Sequence, residues 1–145
     1  MTVLRRQAVT MLLAACWGLG GTVASQAADN GVLLIGHAAL PRIDIATVQR
    51  LYTGRSVEVA GIPVTVVNAA PGSALRQRFL ALVLQQDEDQ YRAYWTVRRH
   101  VGKGVPPREM GSAAELISFV QATPGAVAYI DAADLRPGLN VLARP

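Results

Sequence analysis

A single cysteine, Cys16, stands in 145 residues. One cysteine forms no internal disulfide and no thiolate metal cluster. It also falls inside an apolar N-terminal segment, so cysteine catalysis in the folded domain is not expected. Lysine is equally scarce, with Lys103 alone against 13 arginines. No basic run is longer than two residues, as at Arg98-Arg99. A chain that tracks a nucleic-acid backbone needs a longer stripe of charge, so nucleic acid is not an expected partner. The two histidines, His37 and His100, are far apart and have no spaced carboxylates, which removes the usual basis for a metal site. Ser73 has no sequence-local base, and Asp131 and Asp134 have no visible catalytic partner. Neither an enzyme nor a cofactor is expected from such a set. Repeats, low-complexity tracts and linkers are absent after residue 31.

What is present begins with an export signal. Arg5 and Arg6 precede an apolar run from Ala8 to Ala24, loosened by Gly18, Gly20 and Gly21, and Ser25-Gln26-Ala27 supplies small residues for cleavage. This reads as a secretory signal peptide over residues 1–27, leaving a periplasmic or secreted domain of residues 28–145. Leu13-Ala14-Ala15-Cys16 also matches the pattern before a lipid-modified bacterial cysteine. Because the apolar run continues past Cys16, cleavage after Ala27 is the preferred reading and lipid anchoring the secondary one. Loss of Arg5 and Arg6 leaves 12 basic against 10 acidic residues, so the mature charge is mild.

The domain alternates strand and helix signals. Val32 to Ile35 is a buried strand ended by Gly36. Asp44 caps a helix carrying Ile45, Val48, Leu51 and Tyr52, which Gly54 stops. Val57–Val59 and Ile62–Val67 flank a turn at Ala60-Gly61, with Pro63 at an edge. A helix opened by Gly72-Ser73 has a stripe of Leu75, Phe79, Leu82 and Val83. The next starts at Asp87, with Asp87-Glu88-Asp89 as a solvated first turn and Tyr91, Tyr94 and Trp95 as its core face. Ser112 and Glu115 form a capping box before Leu116, Phe119 and Val120. Strands at Ala126–Ile130 and Leu139–Leu142 follow, with Asp131 and Asp134 capping a turn. The order predicts an α/β domain with a mixed sheet flanked by helices.

One helix start breaks an electrostatic rule. The unpaired N–H groups of a helix N-terminus carry about half a positive charge, so acids are favoured there. The starts at Asp44, Asp87 and Ser112 comply, whereas the one at Ser73 carries Arg76 and Arg78. A strand, a glycine turn and a helix start in sequence are also where anions bind in open α/β sheets. The candidate anion site is therefore Gly72, Ser73, Ala74, Leu75 and Arg76, with backbone donors from residues 74–76, the Ser73 hydroxyl and the Arg76 guanidinium. Ser73 is equally an ordinary cap, worth about 1 kcal/mol, and a misplaced exposed arginine costs only about 0.3–1 kcal/mol. Lys103, between two glycines, is an accessory candidate for reaching an anion or a partner.

Several segments in order resemble the phosphate-binding proteins of ABC transporters. Leu51-Tyr52-Thr53-Gly54-Arg55 is similar to that family's I-F-x-G-K helix end. Val64 to Val67 followed by Pro71-Gly72-Ser73 is similar to the strand and D-G-S-G-T phosphate loop. Gly102-Lys103-Gly104 is similar to a glycine-flanked lysine turn, and Thr123 to Ile130 to T-P-G-x-I-G-Y-V. The resemblance covers about residues 31–143 and implies one lobe of a type II periplasmic-binding-protein-like fold, with a mixed sheet of about five strands. It implies weak binding of phosphate or a similar oxyanion, or assistance to phosphate uptake or sensing. A transporter, an envelope protein or a second copy are the partners it suggests. The departures leave a second reading, an envelope protein-interaction module with a vestigial anion loop. The family's loop arginine falls on Ala69, its aspartate on Pro71, its second glycine on Ala74 and its threonine on Leu75. Arg76 is then the substitute cation.

Overall fold

The computed structural model describes residues 31–145, so the cleavage site after Ala27 and Cys16 lie outside the described residues. The chain opens with β1 (Val32–Gly36), buried along its whole length. Helix α1 (Ile45–Tyr52) starts at Asp44, whose Oδ1 accepts the N–H of Thr47 at 2.7 Å. Two short strands, β2 (Glu58–Val59) and β3 (Ile62–Pro63), pair antiparallel as a separate hairpin. Its turn residues Ala60 and Gly61 both have positive φ, the geometry that matches the twist of the flanking strands. Strand β4 (Thr65–Ala69) leads into α2 (Ala74–Phe79). That helix continues into a wider π-helical turn, Leu80–Leu84. Next come α3 (Glu88–His100), β5 (Arg108–Met110), α4 (Ala113–Ala122), β6 (Ala126–Asp131), a short 3₁₀ turn and β7 (Asn140–Ala143).

Five strands form one mixed sheet in the order β5-β4-β6-β1-β7. β4 runs parallel to β5 and β6, while β1 runs antiparallel to β6 and β7. The expected α/β class with about five strands is therefore what the chain builds. Strand β5 has no counterpart in the sequence reading. Arg108-Glu109-Met110 lacks apolar alternation, and only its register beside Val67, Asn68 and Ala69 makes it a strand. Among the described residues no helix is long and apolar enough to cross a membrane.

The α2 stripe is displaced by one position from the expected one. Leu82 is 55% exposed, and Leu75 is only half-buried. The buried set is Arg76, Phe79, Leu80 and Val83, spaced i, i+3, i+4 and i+7. This is a regular helical face, but an arginine occupies its first position.

The core is rich in phenols. Phe79 stacks on Tyr129 with ring centroids 3.8 Å apart, and Tyr52 closes the group at 4.7 Å from Phe79. Each buried hydroxyl is paired. Tyr52 donates to the carbonyl of Val67, Tyr91 donates to the carbonyl of Tyr52, and Tyr129 donates to Asn68 Oδ1. Burial raises the pKa of Tyr52, Tyr91 and Tyr129 by disfavouring their phenolate forms. Above a pH of about 10 the unfolded chain releases these protons while the folded chain keeps them, so stability falls as pH rises past that point. An alkaline titration is expected to show the phenolate absorbance of these three residues arising together with loss of circular dichroism. Ionisation of all three with the dichroism intact would contradict this packing.

Candidate functional site

The end of β4 delivers the chain to Ala70-Pro71-Gly72, where Gly72 has φ +76 and open space at its Cβ position. The left-handed conformation favours glycine and turns the chain into α2. Ser73 is the N-cap, its Oγ accepting the N–H of Arg76 at 3.3 Å. Among the described hydrogen bonds, none uses the N–H of Ala74 or Leu75. A second helix start faces the first. Ser112 caps α4 through the N–H of Glu115 at 3.2 Å. The expected box closes one residue early, because the Glu115 carboxylate accepts from Gly111 at 2.9 Å.

Between the two helix tips lies an open cleft of about 180 Å³. Ser73, Leu75, Gly111, Ser112, Asp131 and Asp134 line it. It sits at the C-terminal ends of the parallel strands β4 and β5, where crevices form in such sheets. Two helix tips bring donors and positive potential, whereas Asp131 and Asp134 bring acceptors.

The arginines have other duties. The Arg76 guanidinium was expected to close on an anion. Instead it is 4% exposed and held by two carboxylates. Nε and Nη2 donate to the two oxygens of Glu88 at 2.9 and 2.7 Å. Nη1 donates to Glu109 at 2.9 Å and to the carbonyl of Ala69 at 3.2 Å. Its charge also lies 5.5 Å from the Tyr91 ring. Burial alone would lower the Arg76 pKa, but the bond to Glu109 and the charge and bonds of Glu88 raise it instead. The guanidinium is therefore a fixed cation joining α2 to α3, β5 and the end of β4. Glu88, expected in a solvated turn, is mostly buried as its partner.

Arg78 pairs with Asp131, which makes no side-chain cap for the 3₁₀ turn that follows it. This pairing corrects the turn-cap reading of Asp131. The puzzle of a helix that opens with cations has a local answer: both point at acids supplied by other elements.

Lys103 is exposed at the turn after α3. Its N–H donates to the carbonyl of Arg98, whose guanidinium bridges the carbonyls of Lys103 and Gly54. It is not among the residues that line the α2–α4 cleft. Tyr91 and Trp95 are core, as the helical spacing implied, and Tyr94 is half-buried with its hydroxyl on the carbonyl of Thr53. Among the described residues no group of three or more His, Cys, Asp or Glu could hold a metal ion.

Sequence reasoning missed Glu88, Glu109 and Arg78 as partners. Glu109 carried no local signal, since its role follows from its register opposite Asn68 in an unrecognised strand.

No protein-family model matches the chain, and no curated protein matches it. Solved structures do. A phosphate ABC transporter substrate-binding protein from Clostridium perfringens, solved with bound phosphate, superposes with a TM-score of 0.60 at 18% identity. That alignment covers 77% of this chain and 44% of the other. An ABC-type phosphate transport receptor from Vibrio cholerae gives 0.60 at 13% identity, covering 77% and 45%. PstS from Borrelia burgdorferi gives 0.57 at 14% identity, covering 78% and 46%. The chain thus shares the periplasmic-binding-protein-like fold of these phosphate-binding proteins and spans less than half of their length.

Proposed function

We propose that this chain is an exported binding protein, without catalytic activity, that holds phosphate or a similar oxyanion weakly in the α2–α4 cleft. The observation that carries the reading is the convergence of two helix N-termini on one crevice, in a fold shared with phosphate-binding proteins. The free N–H groups of Ala74 and Leu75 are the donors, Gly72 allows close backbone approach, and Ser73 holds the turn. The Arg76 side chain supports the loop from behind and is no ligand, because the carboxylates of Glu88 and Glu109 already saturate it. The cleft walls enclose an anion on one side only, so affinity is low, with Kd on the order of 1 mM. Enclosure by a transporter, an envelope protein or a second copy would tighten it. The acids lining the cleft select among anions. Asp134 repels a fully ionised oxyanion, and it and the Asp131 oxygen not taken by Arg78 accept a hydrogen bond from one that retains a proton, which favours phosphate over sulfate. The likeness to binding proteins favours this solute-binding reading over the interaction-module one.

Ala74→Pro tests the reading with little disturbance. Ala74 is the first helical residue, where proline is tolerated, and Ser73 already has the extended backbone (φ −67, ψ 147) that must precede proline. The substitution removes one free donor and leaves every described hydrogen bond in place. Calorimetric titration is expected to give a phosphate Kd weakened by about tenfold or more, from loss of a bond to a charged acceptor worth about 1.5–3 kcal/mol. Wild-type protein that binds no phosphate at tens of millimolar, or a proline variant that binds equally well, overturns the proposal.

A further inference from the structure

The geometry points to a second binding site on the other side of Arg76, for a small organic anion with a flat apolar body. A groove of about 220 Å³ runs between α3 and the loops carrying Pro71 and Pro106. It is smaller than the roughly 300–1,000 Å³ typical of ligand pockets, which limits the guest to about one ring and one acidic group. Its wall includes the Arg76–Glu88–Glu109 cluster and the aromatic residues Tyr91 and Trp95.

The sign of the guest follows from which groups are already bonded. Both oxygens of Glu88 accept from Arg76, and one oxygen of Glu109 does too. The acids in the groove are thus largely occupied. Its two other cations keep their hydrogen-bond donors open, although Arg92 lies within ion-pair distance of two acids. Arg92 approaches Glu88 and Asp89 only at 3.9 Å, beyond hydrogen-bond range, and its side chain is 65% exposed. Arg99 is exposed and makes no ion pair or side-chain hydrogen bond among the described residues. These two guanidiniums stand two helical turns apart on the α3 face that borders the groove. Open donors at the mouth and the apolar surface of Pro71 and Pro106 within, over the largely covered rings of Tyr91 and Trp95, match an acid head on a flat body. Inorganic phosphate would use the donors and leave the apolar wall wet, so it belongs to the other cleft.

Trp95 serves as the reporter. The chain has two tryptophans, and Trp17→Phe leaves Trp95 as the only indole. Full-chain protein in that background is titrated with phenyl phosphate and with inorganic phosphate, following Trp95 fluorescence and heat together. Phenyl phosphate is expected to give a saturable change in both, and inorganic phosphate to leave the fluorescence unmoved. Arg92→Ala with Arg99→Ala is expected to weaken phenyl phosphate by about tenfold or more, since two charge-assisted contacts are lost. Both residues are exposed and alanine favours helix, so the variant keeps its fold. Ala74→Pro is expected to leave this titration unchanged, which separates the site from the α2–α4 cleft. No saturable signal with phenyl phosphate overturns the inference. So does equal affinity in the double variant, or loss of binding in Ala74→Pro.

Discussion

Arg76→Ala is expected to lose about 3–5 kcal/mol of folding stability, the usual consequence of removing one partner from a buried ion pair. Against the roughly 5–15 kcal/mol that holds a typical domain together, this is about a fifth or more of the total. The substitution strands Glu88, whose side chain is only 19% exposed, and removes the bond to the carbonyl of Ala69 at the end of β4. Glu109→Gln is the mild counterpart. That side chain is 44% exposed, so solvent screens its pairing and the expected loss is under about 1 kcal/mol. Urea unfolding of both variants, with slopes compared to confirm a common denatured state, measures the difference. An Arg76→Ala midpoint within about 1 kcal/mol of the parent would refute the structural role assigned to this residue. The same arithmetic makes Arg76→Ala a poor probe of anion binding, because lost affinity would be inseparable from lost fold.

Gly125→Ala is the second large effect. Gly125 has φ +75, and a Cβ there would sit 2.2 Å from the carbonyl oxygen of Pro63. That neighbour is backbone and cannot rotate away. The entry of β6 is also fixed to the entry of β4, since the N–H of Thr65 donates to the carbonyl of Gly125 at 2.9 Å. The left-handed conformation alone costs alanine about 1–2 kcal/mol, and forcing the strands apart adds about 1–3 kcal/mol. Gly61→Ala separates the two contributions. Gly61 has nearly the same φ, +77, but nothing within 4 Å of its Cβ position. Thermal unfolding should place Gly125→Ala well below Gly61→Ala; equal melting temperatures would show that the close approach to Pro63 has no energetic weight.

These two residues mark where the sequence was readable and where it was not. The strand Ala126–Ile130 that follows Gly125 was legible, because its apolar signal is local. Helix starts at Asp44, Asp87 and Ser112 were legible for the same reason, and each cap is present. The α2 face was misread because arginine is discounted as a core residue. With Arg76 admitted, the true spacing of 76, 79, 80 and 83 was already visible. Strand β5 and the role of Glu109 were not legible at all, since both depend on pairing with a strand some 40 positions earlier. The candidate site divides in the same way. Gly72 and Ser73 were readable as turn and cap, but the direction of the Arg76 side chain depended on acids from α3 and β5.

The joint made by Arg76, Glu88 and Glu109 also constrains how this lineage can drift. Neutral replacement of Arg76 or Glu88 leaves a buried partner without its counter-charge, so first steps away from that inner pair are disfavoured, whereas loss of Glu109 leaves the other two paired. A concerted exchange for well-packed apolar residues would often be neutral or better, yet it lies on the far side of those disfavoured steps. Descendants of this chain should therefore keep Arg76 and Glu88 together or lose both, with few intermediates between, while Glu109 is freer to vary.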